Sequence, residues 1–249
     1  LGVMVALINK SGGSRAFGNW AVKNIKSRAG AMLATFVLGV LIFIDDYFNC
    51  LTVGSVMRPV TDAHKISRAK FAYLIDATAA PVCMIAPISS WAAAVASYAP
   101  EGEGLSLFIK AIPYNFYSLL TIVFVIVTSL IAFDYGKMAD FEIKAKDGDV
   151  VGDGSLAEAE EEPATSRATV WDLIVPIIAL IVASVFGLLY IGGLFDGADF
   201  VTAFGDTDAT VGLPWGSIIA LIFVILYFLF YKYIFISHGS YLTKMGNAN

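Results

Sequence analysis

The sequence predicts an all-α protein that crosses a membrane several times, and two observations predict this fold class. Hydrophobic residues make up 58% of the 249 residues and charged residues only 15%, whereas about a quarter of a soluble domain is charged. Several apolar segments also reach the roughly 20 residues that a helix needs to cross the hydrocarbon core. The lipid bilayer is therefore the first expected partner. Nucleic acid is excluded because the chain has no basic face.

The first residues predict the end of a helix. Residues 1–8 are apolar but too few to cross a bilayer, and they lack the charged start and cleavage site of a signal peptide. We expect the last turns of a helix whose start lies outside the sequence. Together with a basic cytoplasmic loop, these turns form the unit 1–28.

Residues 29–57 are apolar but allow two interpretations. One straight helix would be about 43 Å long, whereas a hairpin would have two arms of about 20 Å. A re-entrant hairpin places every basic residue except Lys110 on one side of the membrane. A single crossing divides the basic residues about ten to six, a much weaker bias than the positive-inside rule leads one to expect. The hairpin is favoured, and it makes loops 9–28, 58–70, 134–170 and 237–249 cytoplasmic.

The tip of this predicted hairpin carries the candidate ion-binding side chains Asp45, Asp46, Asn49 and Thr52. Ionisable groups at bilayer depth are costly and usually handle ions or protons. Two neighbouring carboxylates in a poorly solvated site do not both ionise easily, so a proton on one of them could be exchanged for a cation. The spacing does not show which aspartate holds the proton. In the alternative interpretation, one of them caps a half-helix or pairs with a base.

Residues 71–98 predict an interrupted helix, so that 29–98 forms the ion-site region. Pro81 and Pro87 would free the carbonyls of Ala77 and Cys83, and carbonyl oxygens are good ligands for a hard cation. Asp76 could bind an ion or simply be hydrated at the interface, and the serines could bond to their own backbone. The side-chain candidates in this segment are Asp76, Thr78, Ser89 and Ser90.

The rest of the chain predicts a scaffold. Residues 99–133 are expected to form an extracytoplasmic loop and a scaffold helix. Residues 134–170 are expected to form an acidic, flexible cytoplasmic linker, and residues 171–249 two further transmembrane helices and a tail. Aromatic residues flank these helices, as is typical of helices anchored at the membrane interface.

Several patterns are set aside. Residues 147–153 lack the third ligand of an EF-hand loop, and His64 is expected to be a solvated loop residue. Cys50 and Cys83 lie in apolar segments and are expected to pack as small hydrophobic residues. The sequence shows no catalytic or metal-binding cluster. We therefore expect no enzyme, no cofactor and no metal beyond transported Na+.

The segment from 39 to 94 contains a distinctive set of residue runs. They are Phe43-Ile44-Asp45-Asp46-Tyr47-Phe48-Asn49-Cys50-Leu51-Thr52, Gly54-Ser55-Val56-Met57-Arg58-Pro59-Val60-Thr61-Asp62, Ile66-Ser67-Arg68-Ala69-Lys70, Ile75-Asp76-Ala77-Thr78-Ala79-Ala80-Pro81-Val82 and Ala86-Pro87-Ile88-Ser89-Ser90-Trp91. With these runs the segment resembles the NhaC-type sodium/proton antiporter family of the ion transporter superfamily. A thinner similarity in the second half rests on residues 204–209 and on Gly216-Ser217.

This resemblance implies a secondary transporter of the cytoplasmic membrane, built from inverted repeats that each contain a re-entrant hairpin and a broken helix. It implies an elevator-like motion, Na+ and H+ as coupling ions, and a homodimer as a further partner. Relative to such a protein, the chain resembles a middle portion. Its first repeat is partly present, and the hairpin of the second repeat is absent.

Three functions are carried forward. The first is sodium/proton antiport, because the acidic hairpin tip needs no further partner. The second is cation-coupled transport or exchange of a small carboxylate or amino acid. In that case Asn49, Thr52, Ser89 and Ser90 would bind the substrate and an aspartate the coupling ion. The third is a membrane sensor or assembly subunit that does not transport.

Overall fold

The computed structural model describes residues 2–96, 98–100, 103–152 and 168–246, and these residues form helices joined by short connections. Across these ranges there is no strand, which agrees with the predicted all-α class. Two short 3-10 turns, Ile112–Tyr114 and Leu194–Asp196, complete the path. The helices are α1 Gly2–Ser11, α2 Gly13–Asn24, α3 Arg28–Leu41, α4 Asp46–Ala63, α5 Arg68–Cys83, α6 Ser90–Ala96, α7 Gly104–Ala111, α8 Phe116–Ile131, α9 Lys137–Lys146, α10 Trp171–Ile191, α11 Phe200–Gly205 and α12 Ala209–Gly246.

Two of the described helices are long and apolar enough to cross a membrane, namely Trp171–Ile191 and Thr210–Phe230. A third crossing is available if Gly104–Tyr114 and Phe116–Ile131 act together, although they are bent by 52°. The sequence analysis expected a loop before α8, and the structure has helix α7 there instead. The bend falls at Asn115, whose side chain accepts a hydrogen bond from the Ser118 N–H and starts the new helix.

Helices α3 and α4 fold back on each other. The Nε2 atom of His64, just after α4, lies 3.1 Å from the carbonyl oxygen of Ile25, just before α3. The two helices are about 21 and 27 Å long, so their outer ends can meet only if the helices run antiparallel. The region predicted as a hairpin is therefore a helical hairpin in the protein. Its re-entrant position in a membrane stays a prediction.

The outer ends of this hairpin are held by α9, and we call this region the α9 end. Glu142 of α9 is buried, forms an ion pair with Arg28, and accepts a hydrogen bond from the Ser67 N–H at 2.8 Å. Lys65 donates to the Lys146 carbonyl at 3.0 Å. The sequence analysis expected a flexible linker over 134–170, whereas its first part contains a docked helix. The acidic run 158–162 lies outside the described residues.

Helix α2 occupies part of the segment predicted as a basic loop. It packs along α4, and a Cβ atom at Gly18 would lie 3.4 Å from the Cβ atom of Pro59. The buried side of α2 carries Gly18 and Ala21, while Trp20 and Lys23 are exposed. The small size of the buried residues explains why the hydropathy of this segment did not indicate a packed helix.

The two long apolar helices, α10 and α12, are in backbone contact. A Cβ atom at Gly216 would lie 2.6 Å from the Ala183 carbonyl oxygen and 2.6 Å from the Ser184 Cα atom. Gly212 lies one turn earlier on α12 and approaches Leu188 in the same way. Small residues four apart allow membrane helices to pack this closely. The pair runs antiparallel because later positions on α12 meet earlier positions on α10.

Replacing Gly216 with alanine is expected to lower the midpoint of thermal unfolding by several degrees. The added methyl group has no room against α10, and overpacking of this kind costs about 1–3 kcal/mol. Gly54→Ala is the matched control, because its Cβ atom would meet only the Ile75 side chain at an ordinary 3.6 Å. Unfolding is followed by circular dichroism in detergent. Equal midpoints for the two variants would contradict the close packing of α10 on α12.

Candidate functional site

Two interruptions of the helices face each other, and we call them the paired breaks. The first is the connection 42–45 between α3 and α4, and the second is the connection 84–89 between α5 and α6. The Cys83 thiol donates to the Phe43 carbonyl at 3.1 Å, and the Ser90 N–H donates to the Ile44 carbonyl at 2.7 Å. The Ser90 side chain also lies beside the Asp45 carboxyl group. The structure therefore brings together candidates from both predicted segments.

Asp45 is the N-cap of α4. One of its carboxylate oxygens accepts the Phe48 N–H at 2.8 Å, and the side chain is half-buried beside the second break. Asp45 therefore caps α4, as the alternative interpretation of the aspartates expected. Asp46 lies in the first turn of α4, where its Oδ1 atom accepts the Tyr47 N–H at 3.0 Å. A helix N-terminus favours negative charge, so both carboxylates lie where the backbone stabilises an anion.

Asn49 connects the first break to the interface of α3, α4 and α5. Its Nδ2 atom donates to the carbonyls of Gly39 at 2.7 Å and Ile42 at 3.0 Å. A Cβ atom at Gly39 would lie 2.8 Å from the Thr78 Cγ2 atom and 3.5 Å from the Asn49 Oδ1 atom. Glycine at position 39 therefore lets Asn49 and Thr78 approach each other. The Thr78 hydroxyl donates to the Leu74 carbonyl at 2.6 Å.

Thr52 lies one turn beyond Asn49 and presents an unused oxygen. Its side chain is 1% exposed, and its Oγ1 atom has no hydrogen-bond partner. A buried hydroxyl without a partner is costly, which makes Thr52 available to an ion or a water molecule. Thr35 on α3 is equally buried, but its hydroxyl donates to the Ala31 carbonyl of its own helix at 2.8 Å.

The other candidates lie outside this cluster or are already engaged. Asp76 is exposed on α5, and helix α5 continues through Pro81 to Cys83, so the Ala77 carbonyl lacks its usual N–H donor. The Cys83 carbonyl accepts the Ser89 hydroxyl at 2.7 Å, and Ser89 also caps α6 through the Ala92 N–H. Ser89 therefore bonds to the protein's own backbone, which is the structural alternative considered for it.

A buried carboxylate outside the predicted site lies at the start of α10. Asp172 is 1% exposed, and its Oδ2 atom accepts the Thr169 N–H at 2.9 Å. Thr169 and Asp172 have the spacing of a capping box, the signal by which the sequence could have indicated it. Only one of the two capping bonds is made, because the Thr169 hydroxyl and the Asp172 Oδ1 atom are buried without a partner. In the described part of the chain, no group of three or more His, Cys, Asp or Glu residues could hold a metal ion.

Residues 204–209, which carry the thinner resemblance, connect α11 to α12. The Thr207 hydroxyl is buried and donates to the Leu188 carbonyl at 2.6 Å. Asp208 is exposed, and hydrogen bonds from the side chain and backbone of Thr210 lower the pKa of its carboxyl group. These contacts fix the start of α12, and Phe204 belongs to the apolar cluster against which Ile88 of the second break packs.

Comparison with known proteins gives one family and one relative. The sequence model of the Na+/H+ antiporter family matches residues 95–235, more than half of the chain. A Haemophilus influenzae protein named "Uncharacterized protein" is 40% identical over 201 residues, which cover 77% of this chain. The chain spans 37% of the length of that relative. No solved structure matches the chain.

Replacing Asn49 with leucine is expected to destabilise the protein strongly. The change removes the side-chain donor from the carbonyls of Gly39 and Ile42. The Gly39 carbonyl keeps the Ile42 N–H at 3.3 Å, whereas an unsatisfied Ile42 carbonyl costs about 1–3 kcal/mol. Asn24→Leu is the matched control, because Asn24 also donates to a carbonyl at 2.7 Å but is exposed. Thermal unfolding in detergent measures both variants. If both variants lowered the midpoint of thermal unfolding by a similar amount, Asn49 would not be needed to hold the first break.

Proposed function

The chain belongs to the Na+/H+ antiporter family, and from this premise we propose that the paired breaks bind the cation and the proton during Na+/H+ exchange across the cytoplasmic membrane. We assign the chain to the NhaC-type branch of the family. The observation that carries the proposal is the contact between the breaks, which places Asp45 against Ser90 and leaves Asp46 in the adjoining helical turn.

The chemistry follows from the carboxylates at the first break. A carboxylate in a poorly solvated site is stabilised either by a bound cation or by a proton. Occupation by one excludes the other, and this competition couples the two fluxes in opposite directions. We assign the exchanged proton to the Asp45–Asp46 pair, because the two carboxylates are adjacent at the first break.

We propose that the α3–α4 hairpin is re-entrant and that the α9 end faces the cytoplasm. The meeting of Ile25 with His64 supports the first part, since a single crossing would place these residues on opposite sides of the membrane. The second part is supported by the basic residues of the α9 end and the positive-inside rule. The inverted-repeat architecture, the elevator motion and the homodimer are further parts of the proposal that the family resemblance suggests.

Cation-coupled transport of a carboxylate or amino acid is supported less well. It requires free polar groups on Asn49, Thr52, Ser89 and Ser90. The Asn49 amide nitrogen donates to two carbonyls, and the Ser89 hydroxyl bonds to Cys83 and Ala86. The Thr52 hydroxyl is buried and has no partner. An organic solute would therefore compete with the bonds that hold the breaks.

Asp45→Asn and Asp46→Asn are expected to reduce or abolish exchange without unfolding the protein. Asparagine caps helices about as well as aspartate, so the first change removes the charge and keeps the start of α4. Sodium-driven dequenching of a pH-sensitive dye in everted vesicles measures exchange, and Asp140→Asn on the exposed side of α9 is the control.

Normal exchange by one of the variants would show that its aspartate does not bind the exchanged ions. Normal exchange by both variants would show that the first break is not the ion-binding site. Currents that require an added organic solute would support the second function. If the wild-type protein moves neither cations nor solutes, the sensor or assembly function remains.

A labelled cysteine at Lys65 is expected to be reachable only from the cytoplasm, because Lys65 is exposed at the α9 end. Lys110→Cys is the matched control, since it is also exposed and is predicted on the opposite side. Both are made in a protein whose Cys50 and Cys83 are replaced by serine. Labelling of both positions from the same side would contradict the proposed topology.

A further inference from the structure

Exposed lysines from three separate segments meet at the α9 end, and we call them the lysine patch. The Ile25 carbonyl oxygen, between α2 and α3, lies 3.1 Å from the His64 Nε2 atom, after α4. The Lys65 ammonium group donates to the Lys146 carbonyl at 3.0 Å. These contacts bring together the exposed lysines that are their neighbours in the sequence, namely Lys23, Lys26, Lys65, Lys144 and Lys146.

Few carboxylates are available to neutralise the lysine patch. Three carboxylates of this region are paired within the protein, namely Glu142 with Arg28, Asp62 with Arg68 and Asp134 with Lys70. Asp140 on α9 and Asp147 just after it are exposed. Among the described residues of the α9 end, five exposed lysines therefore outnumber two exposed aspartates, and the surface is positively charged.

The ammonium groups of the lysine patch keep hydrogen-bond donors free. Lys65 gives one N–H to the Lys146 carbonyl, and Lys144 gives one to the Gly152 carbonyl at 3.1 Å. An ammonium group has three donors, so two remain on each of these lysines. Lys65 also has a φ of 55°, in the left-handed region that favours glycine or asparagine. A lysine at this position therefore carries its charge at a cost to the backbone.

Exposed aromatic residues lie beside the lysine patch. Trp20 is 52% exposed and precedes Lys23 by three residues on α2, so the two side chains are neighbours on the helix surface. Tyr135, just before α9, is 63% exposed. Trp and Tyr are enriched where the headgroups of a bilayer meet its hydrocarbon core. Lysines next to such rings fit a membrane surface better than a soluble acidic protein.

We propose that the lysine patch binds the headgroups of anionic phospholipids. This inference rests on the proposed topology, which places the α9 end at the cytoplasmic surface of the membrane. Basic residues near a membrane surface are attracted by the negative charge of its lipids. The lysines belong to both outer ends of the α3–α4 hairpin and to the α9 segment. Bound headgroups are therefore expected to hold these elements together and to stabilise the α9 end.

The inference is tested by titrating the purified protein in uncharged detergent with phosphatidylglycerol and measuring the midpoint of thermal unfolding. Phosphatidylglycerol is expected to raise the midpoint more than phosphatidylcholine, which has no net charge. In the variant Lys26→Gln/Lys65→Asn, the phosphatidylglycerol concentration for half-maximal stabilisation is expected to rise about fivefold for each lysine removed. Without lipid this variant is expected to keep its midpoint, because asparagine adopts the left-handed conformation of position 65 more readily than lysine.

Lys10→Gln/Lys110→Gln is the matched control, because it removes the same charge from exposed positions on α1 and α7. An equal effect in the variant and the control would overturn the inference. Stabilisation by phosphatidylcholine, inorganic phosphate or polyglutamate equal to that by phosphatidylglycerol would also overturn it, because an anionic lipid would then not be required. The titration measures no transport. Lipid binding by a protein that exchanges no ions would therefore support the inference and contradict only the proposed exchange.

Discussion

The structure depends on the need to satisfy backbone groups where helices are interrupted in an apolar surrounding. An unpaired carbonyl inside a bilayer costs several kcal/mol, so irregular backbone is tolerated only where protein or water covers it. The carbonyls of Phe43 and Ile44 in the first break are bonded by Cys83 and Ser90. The first break is therefore completed by groups at the two ends of the second break. In the second break, the Ala86 carbonyl accepts from Ser89 and the Met84 carbonyl from Asn115. The bonds from Cys83 and Ser90 fix the hairpin against α5 and α6.

The same constraint explains the residues that surround the breaks. Asn49 bonds the carbonyl of Ile42 as the chain leaves α3, and glycine at position 39 leaves the room that Asn49 and Thr78 need. At the opposite end of the hairpin, Glu142 holds Arg28 and the Ser67 N–H. The hairpin is therefore fixed at both ends by polar contacts and along its length by small residues. Any motion of the hairpin has to exchange these contacts for others.

Sequence reasoning predicted the elements whose signals are local. The apolar span 171–191, the interruption near Pro87 and the polar tip at Asp45 can all be read from composition and spacing, and the structure has helix ends at these places. Helices α2 and α9 were missed because they bury small or charged residues against partners that are distant in sequence, whereas α7 is a short helix that buries Leu105 and Phe108. The inward position of Glu142 depends on Arg28 and Ser67, and no local pattern contains that information. The site residues themselves stay predictions until transport is measured.

The division of polar groups between structure and binding limits where ion chemistry can occur. The Ser89 hydroxyl, the Asn49 amide nitrogen and the Thr78 hydroxyl already donate hydrogen bonds to backbone carbonyls. An ion that displaced one of these donors would take a hydrogen bond away from its carbonyl. Buried oxygens without a partner remain at Thr52 in the hairpin, at Ser118 and Ser129 on α8 and at Asp172 on α10. Thr52 lies one turn beyond Asn49. It is therefore a hydroxyl that an ion near the first break could use without displacing a bond that holds the breaks.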